Sequence, residues 1–245
     1  MESFQRLDKT QSQQLQQVKL VRLIDPQLAQ SMSQAALTWV LYLYRNIPEY
    51  AAQQRNKVWR AIAYKNIDTV RVSVLGAGEL GLAACEVLRG QGFKVNCWSR
   101  SAKSIDGVRH FSTLEQLPEM LKETDILLCL LPLTPETRGL LNQQMLLNLP
   151  AGAKLINFAR GPIVNIDDLV KLLDEGHLSH GVLDVFEREP LPVDSVLWQH
   201  SKISILPHIS ATTNLHSAAK VVAGNIMDYR TTAVIPEAVD FTRGY

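Results

Sequence analysis

The glycine-rich hexapeptide GAGELG at residues 76–81 constrains the fold of this chain more than any other feature. A valine-rich segment at 70–75 that is typical of a strand precedes it, and a segment with helical periodicity at 79–89 overlaps its end. A G-x-G-x-x-G turn between a strand and a helix is typical of a dinucleotide-binding βαβ unit. The hexapeptide therefore predicts such a unit near the middle of the chain.

Each glycine of the hexapeptide has its own predicted role. Gly76 permits the tight turn, Gly78 lets the backbone approach a pyrophosphate, and Gly81 lets the helix pack closely on the strand. The first helical N–H groups and the positive end of the helix dipole then face the phosphates. The whole turn is predicted to bind the cofactor: Gly76, Ala77, Gly78, Glu79, Leu80 and Gly81.

Apolar runs and helical patterns alternate from residue 70 onward. Strands are predicted at 70–75, 93–98, 126–131, 154–158, 181–185 and 203–206. Helices are predicted at 79–89, 114–122, 137–147, 166–173 and 215–229. Such alternation favours helices on both faces of a parallel sheet. The predicted fold is α/β, a doubly wound parallel sheet of the Rossmann type, with ligands at the carboxyl ends of the strands.

The residues before the glycine turn follow a different pattern. Residues 1–17 are polar and Gln-rich, which predicts a loose arm or an isolated helix. From 27 to 54, apolar residues recur at spacings of three and four, which predicts a long, aromatic-rich helix with a break at Pro48. Packing against its own domain and burial at a subunit interface both stay open for this helix, and the interface is favoured.

Composition argues against several classes of partner. Hydrophobic residues make up 46% of the chain, charged residues 20%, and the net charge is +1, so no nucleic-acid partner is expected. The longest apolar run, 126–131, is far short of the roughly 20 residues of a membrane span. The first residues lack the pattern of a secretory signal. These features predict a cytoplasmic protein with no membrane partner.

Three cysteines, Cys85, Cys97 and Cys129, lie in apolar stretches without C-x-x-C spacing. This arrangement favours reduced core residues over a disulfide framework or a zinc site. No metal site is predicted.

The segment after the second predicted strand indicates which nucleotide binds. An NAD-selective protein normally carries an acidic residue there for the ribose 2′-OH, yet no Asp or Glu occurs between Phe93 and Ile105. Arg100, with Ser99, Ser101 and Lys103, could instead neutralise and hydrogen-bond a 2′-phosphate. The predicted cofactor is NADP(H) in preference to NAD(H).

Three further residues predict reduction of a small 2-keto acid. Arg160 follows a strand end, and its planar fork can grip a carboxylate and polarise the neighbouring carbonyl. His208 also follows a strand and is the natural general acid, and Glu189 could pair with its imidazole. Each residue alone has an ordinary explanation as a surface or loop residue. Their order and their positions at strand ends favour catalysis.

These segments resemble the D-isomer-specific 2-hydroxyacid dehydrogenase family over about 19–245, and most of all its branch that reduces glyoxylate and hydroxypyruvate. The resemblance rests on GAGELG, CWSRS, LLPLTPET, NFARGPIVN, LDVFEREPLP, LWQH and the terminal RGY. It implies that Arg160 orients the substrate, that His208 is the acid/base and that Glu189 is its partner. It further implies a cofactor site lined by Leu131, Pro132, Thr137, Ala159, Arg160, Asp184 and His208. The helix near Trp39 would lie in the family's dimerisation region, so a homodimer is expected.

The resemblance also implies an incomplete substrate domain. No glycine precedes Gly76, so the family's glycine-rich loop for the substrate carboxylate has no counterpart here. The expected division is a polar arm and substrate-domain remnant at 1–24, the NAD(P)-binding domain at 25–212, and a C-terminal helix and tail at 213–245. The terminal helix should then expose apolar residues near 218–229. Two hypotheses follow: a reductase of glyoxylate or hydroxypyruvate, and a nucleotide-binding, dimerising remnant with weak or no turnover.

Overall fold

The computed structural model describes residues 19–239. These residues divide into two compact units, one that combines 19–27 with 213–239 and a larger one, Leu28–Thr212. The predicted arm at 1–17 and the terminal RGY lie outside the described residues. The expected assignment of 1–24, 25–212 and 213–245 to functional domains stays a prediction.

Within the described residues, the larger unit is built on a seven-stranded sheet in which every pairing is parallel. The strand order is β3-β2-β1-β4-β5-β6-β7, which reverses direction between β1 and β4. The strands are β1 Arg71–Leu75, β2 Lys94–Trp98, β3 Arg109–Phe111, β4 Ile126–Cys129, β5 Ala153–Asn157, β6 Leu178–Leu183 and β7 Ile203–Ile205. The Rossmann-type prediction is confirmed.

One register row crosses the carboxyl end of the sheet. The last residues of all seven strands pair in sequence along it: Phe111, Trp98, Leu75, Cys129, Asn157, Leu183 and Ile205. Because all seven strands end on this one row, a residue one to three positions beyond a strand lies at the same edge of the sheet. This edge is where the predicted site residues lie.

Helices connect and cover the strands. The α-helices among the described residues are α1 Pro26–Tyr44, α2 Ile47–Arg55, α3 Glu79–Gly90, α4 Leu117–Leu121, α5 Gln143–Leu146, α6 Ile166–Asp174 and α7 Leu215–Thr232. Short 3₁₀ turns occur at Ile67–Thr69, Gly161–Ile163 and Val196–Gln199. In the described part of the chain two buried clusters form the core, and strand residues alternate between them, as expected for a sheet covered on both faces.

The predicted break in the long N-terminal helix is misplaced. Helix α1 ends at Tyr44, and Asn46 adopts the left-handed conformation with φ 53° before α2 begins. Pro48 lies in the first turn of α2, where its missing N–H group removes no helical hydrogen bond. A stripe of α1 side chains, Met32, Ala36, Val40 and Leu43, is buried in the same cluster as Val72 and Val74. One face of this helix therefore packs against its own unit.

Three other sequence expectations need correction. The helix predicted at 114–122 is only α4, Leu117–Leu121, and the helix predicted at 137–147 is only α5, Gln143–Leu146. The second is short because Gly139, at φ 66°, donates its N–H to Pro162 O and Leu141 donates its own to Ile163 O. Strand β3 was not predicted, since three residues give no periodicity to detect.

The smaller unit contains α7. Asn214 caps this helix through its side chain, and the Ser217 hydroxyl donates to Asp25 Oδ2 at 2.6 Å. The expected apolar exposure of the helix is confirmed: Leu215, Val222, Ile226, Met227 and Tyr229 are all exposed.

Candidate functional site

The glycine turn lies at the point where the strand order reverses, between the ends of β1 and β4. Gly76 has φ 113°, and a Cβ added there would lie 2.8 Å from Leu130 O. A Cβ on Gly81 would lie 1.8 Å from Gly76 O, which no side chain can tolerate. Both positions therefore require glycine for reasons of packing.

Gly78 differs from its two neighbours in the motif. It is the N-cap residue of α3 at φ −79° and ψ −174°, a conformation open to any residue, and no atom of residues 19–239 lies within 4 Å of an added Cβ. Within this part of the chain, neither backbone conformation nor packing demands glycine at position 78. The exposed space above Gly78 at a helix N-terminus is the place that a nucleotide phosphate would fill. Glu79 is also exposed, in the first turn of α3, and Leu80 is half-buried.

The segment after β2 lies beside this turn. The Ser99 hydroxyl donates to Ser101 O at 2.9 Å, and its oxygen lies 2.9 Å from His110 Nε2. The Lys103 ammonium donates to Ala77 O at 2.6 Å, which brings a cation to the second residue of the glycine turn.

Arg100 is exposed on the same segment. Hydrogen bonds from Thr134 and from its own backbone lower the pKa of the Glu136 carboxyl, and the positive charge of Arg100 adds to the effect. The predicted 2′-phosphate residues thus form a cationic segment between the glycine turn and the turn that follows β4.

Glu189 and His208 are in direct contact. His208 Nδ1 lies 2.7 Å from Glu189 Oε2, and the other carboxylate oxygen accepts the Phe186 N–H at 2.9 Å. The carboxylate fixes the orientation of the imidazole and leaves Nε2 as the nitrogen that can exchange a proton with a substrate. About half of the His208 side chain is exposed, at 48%, so a ligand can reach it.

Asp184 supports His208 from the backbone side. Its carboxylate is buried and accepts the N–H groups of Ile209 at 2.7 Å and Ser210 at 2.9 Å. These two residues follow His208, which itself adopts a left-handed conformation with φ 57°. In this structure Asp184 therefore holds the turn that carries the imidazole.

Arg160 follows β5 on a turn that is fixed from both sides. The Asn157 side chain accepts the Ala159 N–H and donates to Arg160 O, each at 3.1 Å. Arg160 Nη1 donates to Ala159 O at 2.6 Å. A Cβ on Gly161 would lie 2.0 Å from the backbone of Phe186, so the Arg160 turn packs directly on the segment that leads to Glu189.

The turn after β4 completes the edge. Leu131 is buried, and the Thr137 hydroxyl donates to Pro132 O at 2.7 Å and accepts the Thr134 N–H at 2.8 Å. Thr137 thus closes its own turn here. Its predicted contact with a cofactor, like that of Leu131, Pro132 and Ala159, stays a prediction.

Two residues of this edge were missed or underweighted in the sequence. His110 lies on the unpredicted strand β3, and no local pattern identified it. Gly161 belongs to the motif NFARGPIVN, but its close approach to the Phe186 backbone depends on the pairing of β5 with β6.

The part of the chain that the structure describes contains neither a candidate metal site nor a membrane-spanning helix. Between residues 19 and 239, no three or more His, Cys, Asp or Glu side chains lie together in a way that could hold a metal ion. No helix in the same part of the chain is long and apolar enough to cross a membrane.

A parallel sheet with a glycine turn at its reversal point defines a dinucleotide-binding α/β domain. Residues 37–210 match the family described as D-isomer specific 2-hydroxyacid dehydrogenase, NAD binding domain. The chain belongs to this family of oxidoreductases, which act on small 2-hydroxy and 2-keto acids.

Known relatives support the same assignment. The chain is 42% identical over 228 residues to glyoxylate/hydroxypyruvate reductase A of Serratia proteamaculans, across 93% of this chain and 73% of that protein. A family member from Xanthobacter autotrophicus Py2, solved in complex with NADPH and MES, has a TM-score of 0.89 and 42% identity, with 93% of this chain and 94% of that one covered. The NADPH-dependent glyoxylate/hydroxypyruvate reductase of Sinorhizobium meliloti, solved with NADP and sulfate, has a TM-score of 0.89 and 33% identity, with 93% and 73% covered.

Proposed function

We propose that this protein reduces glyoxylate or hydroxypyruvate with NADPH, giving glycolate or D-glycerate. The observation that carries the proposal is the 2.7 Å contact between His208 and Glu189 at the sheet edge that also holds the glycine turn. The likeness to reductases of these two acids supports the choice of substrate.

Each residue has a role that follows from its chemistry. Arg160 binds the substrate carboxylate through its planar fork and turns the neighbouring carbonyl toward the cofactor site. His208 donates a proton from Nε2 to the carbonyl oxygen as that oxygen gains negative charge. Glu189 keeps the imidazole oriented through Nδ1, and Asp184 holds the backbone turn beneath it.

The turn and the segment after β2 fit a bound dinucleotide. Gly78 leaves open space at the N-terminus of α3, and Lys103 and Arg100 supply positive charge beside it. When bound, the reduced nicotinamide would supply the hydride for the carbonyl carbon. NADPH is favoured over NADH because the 2′-phosphate would meet cations and no carboxylate of the 93–105 segment.

The first experiment measures NADPH oxidation by absorbance with glyoxylate and hydroxypyruvate, alongside a direct NADPH-binding titration. Turnover should fall by about 10²-fold or more in His208→Gln, because proton donation is lost, while NADPH binding stays within about twofold. His216→Gln, an exposed histidine on α7, is the matched control and should behave as wild type. Binding without turnover in the wild-type chain would overturn the reductase proposal and favour a nucleotide-binding protein.

We also infer a homodimer that uses the segment from α2 to residue 66. Trp59 is fully exposed, and Val58 and Tyr64 on the same segment, with Ile47 and Tyr50 of α2, are exposed as well. Such a run of exposed apolar residues is typical of an interaction surface. Light scattering should give twice the chain mass of 27.4 kDa for the wild-type protein. Trp59→Ser should lower the measured mass toward that of the monomer. A wild-type protein that stays monomeric at every concentration tested would contradict the dimer.

A further inference from the structure

We propose that His110 is a positioning residue for cofactor selectivity, holding the segment 99–103 in the conformation that receives the 2′-phosphate of NADPH. The inference rests on the proposed NADPH dependence and adds a residue outside the segment that would touch the phosphate. It is carried by contacts of His110 with both ends of that segment.

The position of His110 in the sheet places it beside the segment. It is the middle residue of β3 and pairs in register with Cys97 on β2, two residues before Ser99. The Ser99 N–H donates to Phe111 O at 3.1 Å, so the backbone of β3 already receives the start of the segment. The His110 side chain is half-buried against it.

The hydrogen bonds of Ser99 determine which His110 nitrogen carries the proton. The Ser99 hydroxyl has a single hydrogen, which it donates to Ser101 O at 2.9 Å. At His110 Nε2, also 2.9 Å away, the same hydroxyl must therefore accept. Nε2 carries the ring proton, and Nδ1 is left as an acceptor.

The other ring nitrogen contacts the far end of the segment. His110 Nδ1 accepts the backbone N–H of Lys103 at 3.5 Å, which agrees with the assigned tautomer. Burial lowers the pKa of His110, and the nearby charge of Lys103 lowers it further, so the ring is neutral at pH 7, as this acceptor role requires. One imidazole thus spans the segment from Ser99 to Lys103.

The span matters because side-chain packing holds this segment only weakly. Residues 100–103 are all exposed, so hydrogen bonds supply most of its order. The Lys103 ammonium lies at Ala77 O, 2.6 Å away, on the glycine turn. With His110 in place, Arg100, Ser101 and Lys103 are presented together beside the position of the ribose.

NADPH and NADH differ only in the 2′-phosphate, so the ratio of their dissociation constants separates positioning at this phosphate from general stability. His110→Phe keeps the size of the ring and removes both hydrogen bonds. The loss of two such bonds should weaken NADPH binding about tenfold and leave NADH binding within about twofold. His110→Gln, which can still donate to Ser99 Oγ, should recover part of the ratio.

The control variant is Arg109→Gln on the same strand. Arg109 pairs with Glu119 at 2.7 Å and Glu123 at 2.9 Å, and successive side chains of a strand point to opposite faces. Arg109→Gln should alter the thermal midpoint without altering the ratio of the dissociation constants for NADPH and NADH. Both dissociation constants are measured by titration of nucleotide fluorescence, and the thermal midpoint of each free variant shows that it is folded.

The dissociation constants of the wild type and the variants decide whether His110 positions the segment 99–103. A Kd(NADPH)/Kd(NADH) ratio that rises in His110→Phe, returns part of the way in His110→Gln and stays at the wild-type value in Arg109→Gln would establish the role. Full NADPH preference in His110→Phe, or an equal loss of both nucleotides, would overturn this inference alone, and His110→Ala carries the same comparison if the Phe variant fails to fold. Wild-type protein that binds NADH as tightly as NADPH would overturn the cofactor proposal and this inference with it.

Discussion

His208 is held by two carboxylates that act on different parts of the residue. Glu189 contacts the imidazole at 2.7 Å, whereas Asp184 accepts the two N–H groups that follow His208 in the chain. A left-handed backbone costs a non-glycine residue roughly 1–2 kcal/mol, and the charged hydrogen bonds of Asp184 offset that cost. The orientation of the ring and the conformation of its backbone are therefore fixed independently.

In the glycine turn, substitutions of glycine by alanine can separate effects on protein stability from effects on nucleotide binding. Gly78→Ala should leave the free energy of unfolding within about 0.5 kcal/mol, because no atom of the described residues lies within 4 Å of the added Cβ. The same methyl group should weaken NADPH binding by about tenfold or more, since it enters the space predicted for a phosphate. Urea denaturation and NADPH titration measure the two quantities.

Two glycines within α3 serve as controls for Gly78→Ala. Gly81→Ala should lower the free energy of unfolding by about 1–3 kcal/mol or more, because its Cβ would meet Gly76 O at 1.8 Å. Gly90→Ala, at the other end of the same helix with open space around it, should be neutral or slightly stabilising. NADPH binding that survives unchanged in Gly78→Ala would contradict the placement of the phosphate.

The sequence indicates some residues of the candidate site but not the contacts that hold them. Arg160, Glu189 and His208 could be proposed from residue type and from their positions after strands, and the structure brings Glu189 and His208 into contact. The hydrogen bonds of Thr137 within its own turn, and the hold of Asp184 on the His208 turn, depend on which backbone groups come near. No sequence pattern carries that information, because these partners are set by tertiary packing.

At the scale of elements, periodicity predicted the long segments and failed on the short ones. Strands β1, β2 and β5 and helix α6 are found within one or two residues of their predicted bounds, since each buries a clear apolar pattern. Strand β3 and helices α4 and α5 have only three to five residues, too few for a period to show. Their limits are set by the turns on either side.

The break between α1 and α2 gives a test at this scale. Asn46 is left-handed at φ 53°, and its side-chain oxygen accepts from Lys154 at 3.2 Å. Asn46→Ala should lower the free energy of unfolding by about 1–2 kcal/mol, because it adds left-handed strain and loses an acceptor. Asn46→Gly restores the conformational freedom and should recover most of that loss in urea denaturation. Equal losses in both variants would show that the left-handed turn is not what Asn46 supplies.

For the whole molecule, the register row explains why the fold was the most predictable property. Seven strands end on one line, so residues spread from Gly76 to His208 in sequence come to a single edge. Alternating strands and helices already imply that edge. The sequence does not imply the distances along it, which depend on close approaches such as that of Gly161 to Phe186.

The stability of the whole molecule should depend on pH through one buried histidine. His180 on β6 is almost fully buried and contacts Ser204 Oγ on β7 at 2.9 Å. Burial lowers the pKa of His180 to about 4, with smaller contributions from the charges of Lys154 and His200. An unfolded histidine titrates near pH 6.5, so the unfolded state binds more protons than the native state between these two values.

The free energy of unfolding should therefore fall as the pH drops from about 6.5 to about 4, and His180 should account for up to about 3 kcal/mol of that loss. Above pH 6.5 the neutral ring costs nothing, and below about pH 4 the loss is complete. His180→Gln removes the titration while keeping a donor for Ser204, so its urea unfolding curves should depend less on pH over this range. His216→Gln, exposed on α7, should follow wild type. Parallel pH profiles for wild type and His180→Gln would show that the native state does not disfavour protonation of His180, and would contradict the prediction.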